Sequence, residues 1–404
     1  MEIFWFFSAI TTLGLIVYWF QILAIHLHSP KQYPSNREGA SLPSSFPPIS
    51  ILKPMRGLDD NLFDNLESFV LIDYPEFEII FCLQDRNDPA YKIASKIKDR
   101  YPEEDISIVT ERFNEGLNPK VNNLMPGYRI AKYEHILISD SNVSVGKYYL
   151  REIAAHMRDS SVGLVTNVIR GDGGHTIGSI FENLHLNSFI IGSVCFLDKF
   201  FKMPCVIGKS MLMRKADLEA IGGLNSVKDI LAEDYIIGER MHKAGKKVVL
   251  SNHMIDNVNE YWGIRRFLNR HTRWGKLRWR IGGIKYFSEL ICNPVFMSSL
   301  PILLWKPSRI TVSFALIVSI IKIIGDLYIG EKIGSRLNPL TYLLSPIKDL
   351  LIGFVWFIPI LSNTVVWRGN RYVIGKDSTL SRCPESGVWS WRYRIFDAIR
   401  ARLA

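Results

Sequence analysis

The sequence is poor in the features that would make it a disulfide scaffold or a zinc protein. Its 404 residues hold five cysteines: Cys82, Cys195, Cys205, Cys292 and Cys383. The count is odd and no pair has C-x-x-C spacing. That excludes a disulfide framework and points to reduced thiols in a cytosol-facing protein. No two histidines stand at metal-ligand spacing beside a carboxylate, and no internal repeat or low-complexity tract is present. The basic leader of a cleaved signal peptide is missing, because Glu2 is the only early charge and no small-residue cleavage site follows. Gly171-Asp172-Gly173-Gly174 lacks the strand-loop-helix surroundings of a phosphate loop and reads as a plain turn. One stretch, Tyr261 to Tyr286, contains no acid at all.

What is present is apolar and basic. Hydrophobic residues make up 48% and the formal charge is +10. The basic residues sit near long apolar runs, so an anionic lipid surface is the expected partner and nucleic acid is not. Ile3 to Ile25 matches a bilayer span of about 20 residues. Lys31 and Arg37 follow it, which places the next segment in the cytosol. Ser29 to Pro48 is a Pro- and Ser-rich linker. Later apolar runs cover Leu290–Trp305, Ile310–Ile329 and Leu350–Trp367, with Lys322 and Asp326 inside the second. A cytosolic tail needs an even number of crossings, so one run is re-entrant or interfacial, or the tail breaks the rule. The acid-free stretch carries Arg265, Arg266, Arg270, Arg273, Lys276, Arg278, Arg280 and Lys285, with tryptophans interleaved. That is the composition of a helix at a membrane surface. His271 within it reads as a surface histidine.

Between these apolar ends the pattern is that of an α/β domain. Strands are expected at Ile49–Pro54, Glu78–Leu83, Ile106–Val109, Ile136–Ser139 and Gly163–Thr166. Helices are expected at Asn61–Val70, Ala90–Tyr101 and Leu124–Lys132. Strands alternating with helices predict a mainly parallel sheet, whose ligands bind at the carboxyl ends of its strands. Thr176 to Phe200 is a buried helix or the wall of an apolar site. The resulting organisation is an N-terminal anchor at 1–28, a catalytic domain at 49–289 that includes the basic helix, transmembrane or re-entrant helices at 290–367, and a basic cytosolic tail at 368–404.

Three acidic positions stand out. Asp85 and Asp140 follow buried strands, and Glu233-Asp234 opens a helix, where exposed amides and the dipole favour carboxylates. Oxygen ligands at the strand end Asp140-Ser141-Asn142 suit Mg²⁺ or Mn²⁺ bridging a diphosphate. Taken singly, each aspartate is as well explained as a cap, Asp85 above all, since Gln84-Asp85-Arg86-Asn87-Asp88-Pro89 is good turn chemistry.

The ordered set is recognisable. Ile51-Leu52-Lys53-Pro54, Leu83-Gln84-Asp85, Asn118-Pro119-Lys120-Val121-Asn122-Asn123-Leu124, Asp140-Ser141, Ala232-Glu233-Asp234-Tyr235 and Arg270-x-x-Arg273-Trp274 follow one another in sequence. The chain closely resembles the ceramide glucosyltransferase family, inverting membrane enzymes with a GT-A-type nucleotide-sugar-binding domain. The likeness runs from about Ser50 to Lys285 and extends loosely to Trp367–Tyr372. The resemblance implies transfer of a hexose from a UDP-sugar to the primary hydroxyl of ceramide. It implies that Lys53, Pro54, Asp85 and Asp140 bind the nucleotide sugar, with Asp140 at a Mg²⁺ or Mn²⁺ ion. It makes Asp234 the base, and Arg270, Arg273 and Trp274 the leaving-group and acceptor site. The second aspartate of a D-x-D is absent. The resemblance further implies a multi-pass protein with its site facing the cytosol, in a bacterial inner membrane or in the Golgi or ER. Rival readings are another membrane-lipid acceptor (hopanoid, sterol or diacylglycerol, from UDP-glucose or UDP-N-acetylglucosamine), a processive polysaccharide synthase, and an inactive scaffold.

Overall fold

Ile49–Pro54 (β1) is buried at every position, as a central strand covered on both faces must be. It pairs in parallel with Phe77–Cys82 (β2) and His135–Ile138 (β4), and β2 pairs in parallel with Ile106–Val109 (β3). The computed structural model describes residues 2–28, 46–305, 307–367 and 370–383. Most of the expected linker, with Lys31 and Arg37, lies outside the described residues, as do Arg368, Arg392, Arg394, Arg400 and Arg402 of the expected tail.

The sheet continues through Val143–Ser144 (β5), Val162–Asp172 (β6), Met211–Arg214 (β7) and Lys247–Val258 (β8). Its eight strands lie in the order β3-β2-β1-β4-β7-β6-β8-β5. Four neighbouring pairs are parallel and three antiparallel, so the sheet is parallel-rich but mixed. The antiparallel strand β7 sits between β4 and β6. Its entry end therefore shares an edge with the carboxyl ends of its neighbours. That edge holds the candidate site.

Two apolar layers cover the sheet. Ile49, Ile51 and Phe81 face Leu66 and Phe69 of Leu62–Val70 (α2) and Ala94 and Ile97 of Pro89–Arg100 (α3). Leu52, Ile80 and Ile138 face Val121 and Leu124 of Pro119–Ile130 (α4) and Ile236 and Ile237 of Glu233–Lys243 (α5). Ile51 and Leu52 fall in opposite layers because side chains alternate along a strand. The helix expected from Leu124 begins at Pro119, with Asn118 capping the amides of Lys120 and Val121.

Among the described residues, four helices are long and apolar enough to cross a membrane: Glu2–His28 (α1), Ile177–Phe201, Arg309–Lys332 and Pro339–Leu361. A fifth candidate is the pair Ile264–Ile291 and Pro294–Leu304, bent by 75°. Ile177–Phe201 is a helix as expected. Its first half is buried, including Glu182 and Asn183, while Phe200 and Phe201 are exposed. The run Leu350–Trp367 is not one helix: it ends in Thr364–Trp367 (β9), a strand. Strands Asn370–Ile374 (β10) and Leu380–Arg382 (β11) complete a three-stranded antiparallel sheet with β9. Residues 370–383, read in the sequence as the start of a tail, thus fold back on the catalytic domain. Val365, Tyr372, Ile374 and Leu380 pack on Leu231.

The basic stretch forms the helix Ile264–Gly282 (α6), packed on both sides. Its Lys276 donates to the Thr364 carbonyl at 2.6 Å. Its first turn, with Arg265 and Arg266, is exposed, as are Asn269 and the turn after the helix, while the rest is buried or half-buried. His271 is buried at 3% exposure against Glu182, 2.9 Å away, which corrects the reading of a surface histidine.

Candidate active site

The register of β4 and β7 assembles the centre. Ile138 pairs with Met211 in antiparallel register. Continued past the ladder, that register sets Asp140 opposite Lys209. Lys209 Nζ lies 2.9 Å from Asp140 Oδ2 and donates to Asn142 Oδ1 at 2.6 Å. The other Asp140 oxygen, Oδ1, lies 3.0 Å from Lys120 Nζ, which also meets Glu233 Oε1 at 3.0 Å and the Gly208 carbonyl at 2.9 Å. Burial raises the Asp140 carboxyl, but Lys120 and Lys209 outweigh it and hold the group well below the usual range. Burial also lowers Lys120, and Asp140 and Glu233 more than reverse that. For Lys209 burial is the larger influence and lowers it, with Asp140 opposing.

Asp234 stands in the first turn of α5. Its Oδ2 accepts from the Gly208 amide at 2.9 Å and its Oδ1 from its neighbour Tyr235 at 2.8 Å. Burial, then the adjacent Glu233, push its pKa up to about 6, against Lys120 and the two amides. A carboxylate poised there can take a proton near neutral pH. Gly208 permits the approach: a Cβ on it would lie 2.6 Å from Asp234 Oδ2. Three successive residues divide the work. Gly208 touches Asp234, Lys209 touches Asp140, and Ser210 anchors the segment to Asn167 and Tyr149, each at 2.6 Å.

Lys53 is fully buried, with Nζ 2.7 Å from the Asp140 carbonyl and 3.5 Å from the centre of the Phe69 ring. Pro54 is buried beside it. Met55, the next residue, lines a cleft of about 820 Å³ together with Asp85, Asn122 and Asn123. Asp85 is exposed and caps its own turn, accepting from Asn87 N at 2.8 Å. It stands on the cleft wall, outside the Lys120 network. Helix α4 joins the two places, with Pro119, Asn122 and Asn123 on the cleft and Lys120 among the carboxylates. Arg371, Tyr372 and Arg382 of β10 and β11 complete the cleft, beside Arg56 and Arg112.

Arg270 lies 3.3 Å from buried Glu182, its guanidinium 4.3 Å from the Trp274 ring and 5.1 Å from that of Trp262. It is near enough to Lys209 to lower that ammonium. Arg273 faces the Trp367 ring at 5.8 Å. Lys120 therefore joins Asp140 and Glu233 directly and Asp234 through Gly208, while Arg270, held by Glu182 and the Trp274 ring, reaches this network through its effect on Lys209. Lys209 and Gly208 were missed in the sequence, because their roles come from the pairing of β7. Lys120 stood within a recognised motif without a role.

The residues do not form a seat for a divalent ion. Both Asp140 oxygens are paired with ammonium groups and Asn142 Oδ1 is engaged by Lys209. Among the described residues no three His, Cys, Asp or Glu side chains are grouped to hold a metal.

A parallel-rich sheet with a basic cleft at its carboxyl edge and a proton-accepting carboxylate beside it defines a nucleotide-sugar-dependent transferase. More narrowly, the chain belongs to glycosyl transferase family 21, whose model matches residues 9–380. It is similar to ceramide glucosyltransferase 3 of Caenorhabditis elegans, 28% identical over 374 residues, covering 88% of this chain and 78% of the relative. Ceramide glucosyltransferase 1 of the same organism is 30% identical over 279 residues, covering 68% of this chain and 56% of the relative. A solved mannosyltransferase from Pyrobaculum calidifontis, in complex with GDP-Man and Mn²⁺, aligns with 88% of this chain and 98% of its own at 13% identity and a TM-score of 0.49.

Proposed function

We propose that the protein transfers glucose from UDP-glucose to the primary hydroxyl of ceramide, inverting the anomeric carbon. The observation that carries this is the family match over residues 9–380, joined to a carboxylate, Asp234, tuned to about 6 beside a basic cleft. In this reading the nucleotide occupies the cleft lined by Met55, Asp85, Asn122, Asn123 and Arg371. Asp234 removes the hydroxyl proton as the oxygen attacks. A single displacement needs one base and no enzyme nucleophile. Arg270 and Arg273 offset charge on the departing diphosphate. The acceptor lipid stays in the bilayer and the sugar donor in the cytosol, so the site sits where they meet. Helix α6, which packs on Ile177–His185 and on the later apolar helices Ser345–Val355 and Ile358–Leu361, supports this reading.

The test is transfer by purified protein from UDP-glucose to ceramide, with diacylglycerol and sterol as rival acceptors and mass spectrometry of the lipid product. Glucosylceramide formed by the wild type and reduced roughly 10²-fold or more in Asp234→Asn is expected. Transfer to a rival lipid alone moves the reading to that acceptor. Unchanged turnover in Asp234→Asn removes the base assignment.

A further inference from the structure

We infer that the Lys209 ammonium fills the cation seat of the Asp140-Ser141-Asn142 turn and serves as the fixed counter-cation for the donor diphosphate. The inference rests on the transfer reading above and names a residue that reading leaves without a role.

Three observations carry it. The first is position. The outward oxygens of the first and third residues of the turn, Asp140 Oδ2 and Asn142 Oδ1, both contact Lys209 Nζ, at 2.9 and 2.6 Å. A lysine ammonium is a compact point charge with three donors, so it can satisfy two such oxygens and keep one N–H for a third partner. The second is that the seat is built. The Asn142 amide is held by its own donation to Asn257 Oδ1 at 3.1 Å, which directs its oxygen to Lys209. Ser210 is fully buried, and Lys209 and Asp140 keep only 15% and 25% side-chain exposure, so neither is a wandering surface group. The third is charge. Asparagine in place of a second carboxylate leaves the turn with one negative charge, and Lys120 and Lys209 already answer it. A divalent ion would have to share that single carboxylate with two ammonium groups held within 3.0 Å of it. Hard cations are bound through several free oxygens, and the side-chain oxygens of Asp140 and Asn142 are all engaged.

In the transfer step the C1–O bond to the β-phosphate breaks and its electron pair stays on the phosphate oxygen. The acceptor oxygen forms the new bond to C1, and its proton passes to Asp234. Lys209 gains and loses no proton. It meets the charge that collects on UDP, and because its position is set before the donor arrives it needs no reorganisation during the reaction.

The experiment uses the full chain in nanodiscs after exhaustive dialysis against EDTA. UDP affinity is measured by calorimetry, and Mn²⁺ binding by paramagnetic resonance. Glucosyl transfer is followed in parallel. The wild type is expected to bind UDP with the same affinity, within about twofold, whether EDTA or Mn²⁺ is present, and to show no stoichiometric Mn²⁺ site. Lys209→Met, close in volume, is expected to weaken UDP binding and to lower transfer by roughly 10²-fold in EDTA, the usual loss for one charge-stabilising donor. Lys209→Arg keeps the charge and should retain part of both. UDP binding by the wild type that collapses in EDTA and returns with stoichiometric Mn²⁺ would overturn the inference, as would a Lys209→Met protein with unaltered UDP affinity. The wild-type arms need no variant to fold. UDP binding also reads the inference apart from the acceptor: normal binding with no sugar transfer to any lipid counts against the function, not against Lys209.

Discussion

At the scale of single residues, the candidate site sets two carboxylates around Lys120 in opposite environments. Asp140 is pinned as an anion by two lysines, while Asp234, beside Glu233, is lifted to about 6. Pairs of acids driven apart by their surroundings are how proteins assign acid and base roles. In the proposed reaction only the deprotonated Asp234 accepts the proton, so transfer, measured as kcat/KM, should rise with pH along a limb near 6. The sign for stability is opposite. The folded chain holds this proton more tightly than the unfolded chain, whose carboxyl keeps the ordinary 3.8, so this group's contribution falls as pH rises from 3.8 to about 6. In Asp234→Asn, a thermal melt series across that window should lose the fall. Gly208→Ala offers a second check. Its methyl group would lie 2.6 Å from Asp234 Oδ2, so the carboxylate must move, and turnover should drop by roughly tenfold or more with little change in UDP affinity.

At the scale of elements, much of the catalytic half was legible because its strands are unbroken apolar runs ending in polar turns. β1 and β3 lie where the pattern put them, and Asp140 and Glu233-Asp234 sit at the strand end and helix mouth that were read. The direction of β7 was not legible. Met211-Leu212-Met213 is apolar in either orientation, and only the antiparallel register brings Lys209 to Asp140. The folding back of β10 and β11 was hidden as well. Asn370–Arg382 looks like a basic tail because its anchoring groups, Tyr372, Ile374 and Leu380, are few and widely spaced. The sheet's placement puts Arg371 and Arg382 on the cleft proposed to hold the donor. The double substitution of both by alanine should raise the KM for UDP-glucose severalfold and leave kcat nearly unchanged, the signature of lost ground-state binding, as read from steady-state kinetics.

At the scale of the whole molecule, polar groups buried among the apolar helices tie the first helix to the later ones. Tyr18 donates to Asp326 at 2.7 Å, Lys322 pairs with Asp326, and Asp349 lies 3.5 Å from Lys322. Without Asp326, buried Lys322 keeps only Asp349, which is itself paired with Lys348 at 2.7 Å, and Tyr18 loses its acceptor. Asp326→Asn should therefore lower the melting temperature in detergent clearly, while an exposed control such as Arg265→Gln should not. The small C-terminal sheet ties the other end of the described chain to the catalytic domain. Leu231 and Leu380 donate their amides to Ser378 and Asp229, at 2.9 and 2.7 Å, so this sheet braces the loop that leads into Asp234. That bracing comes from residues that follow every candidate membrane helix found among the described residues. A nascent chain on the ribosome would thus carry the carboxylate proposed as base and both lysines before the loop beneath them is secured, and sugar transfer would wait until Ser378 and Leu380 are made and docked.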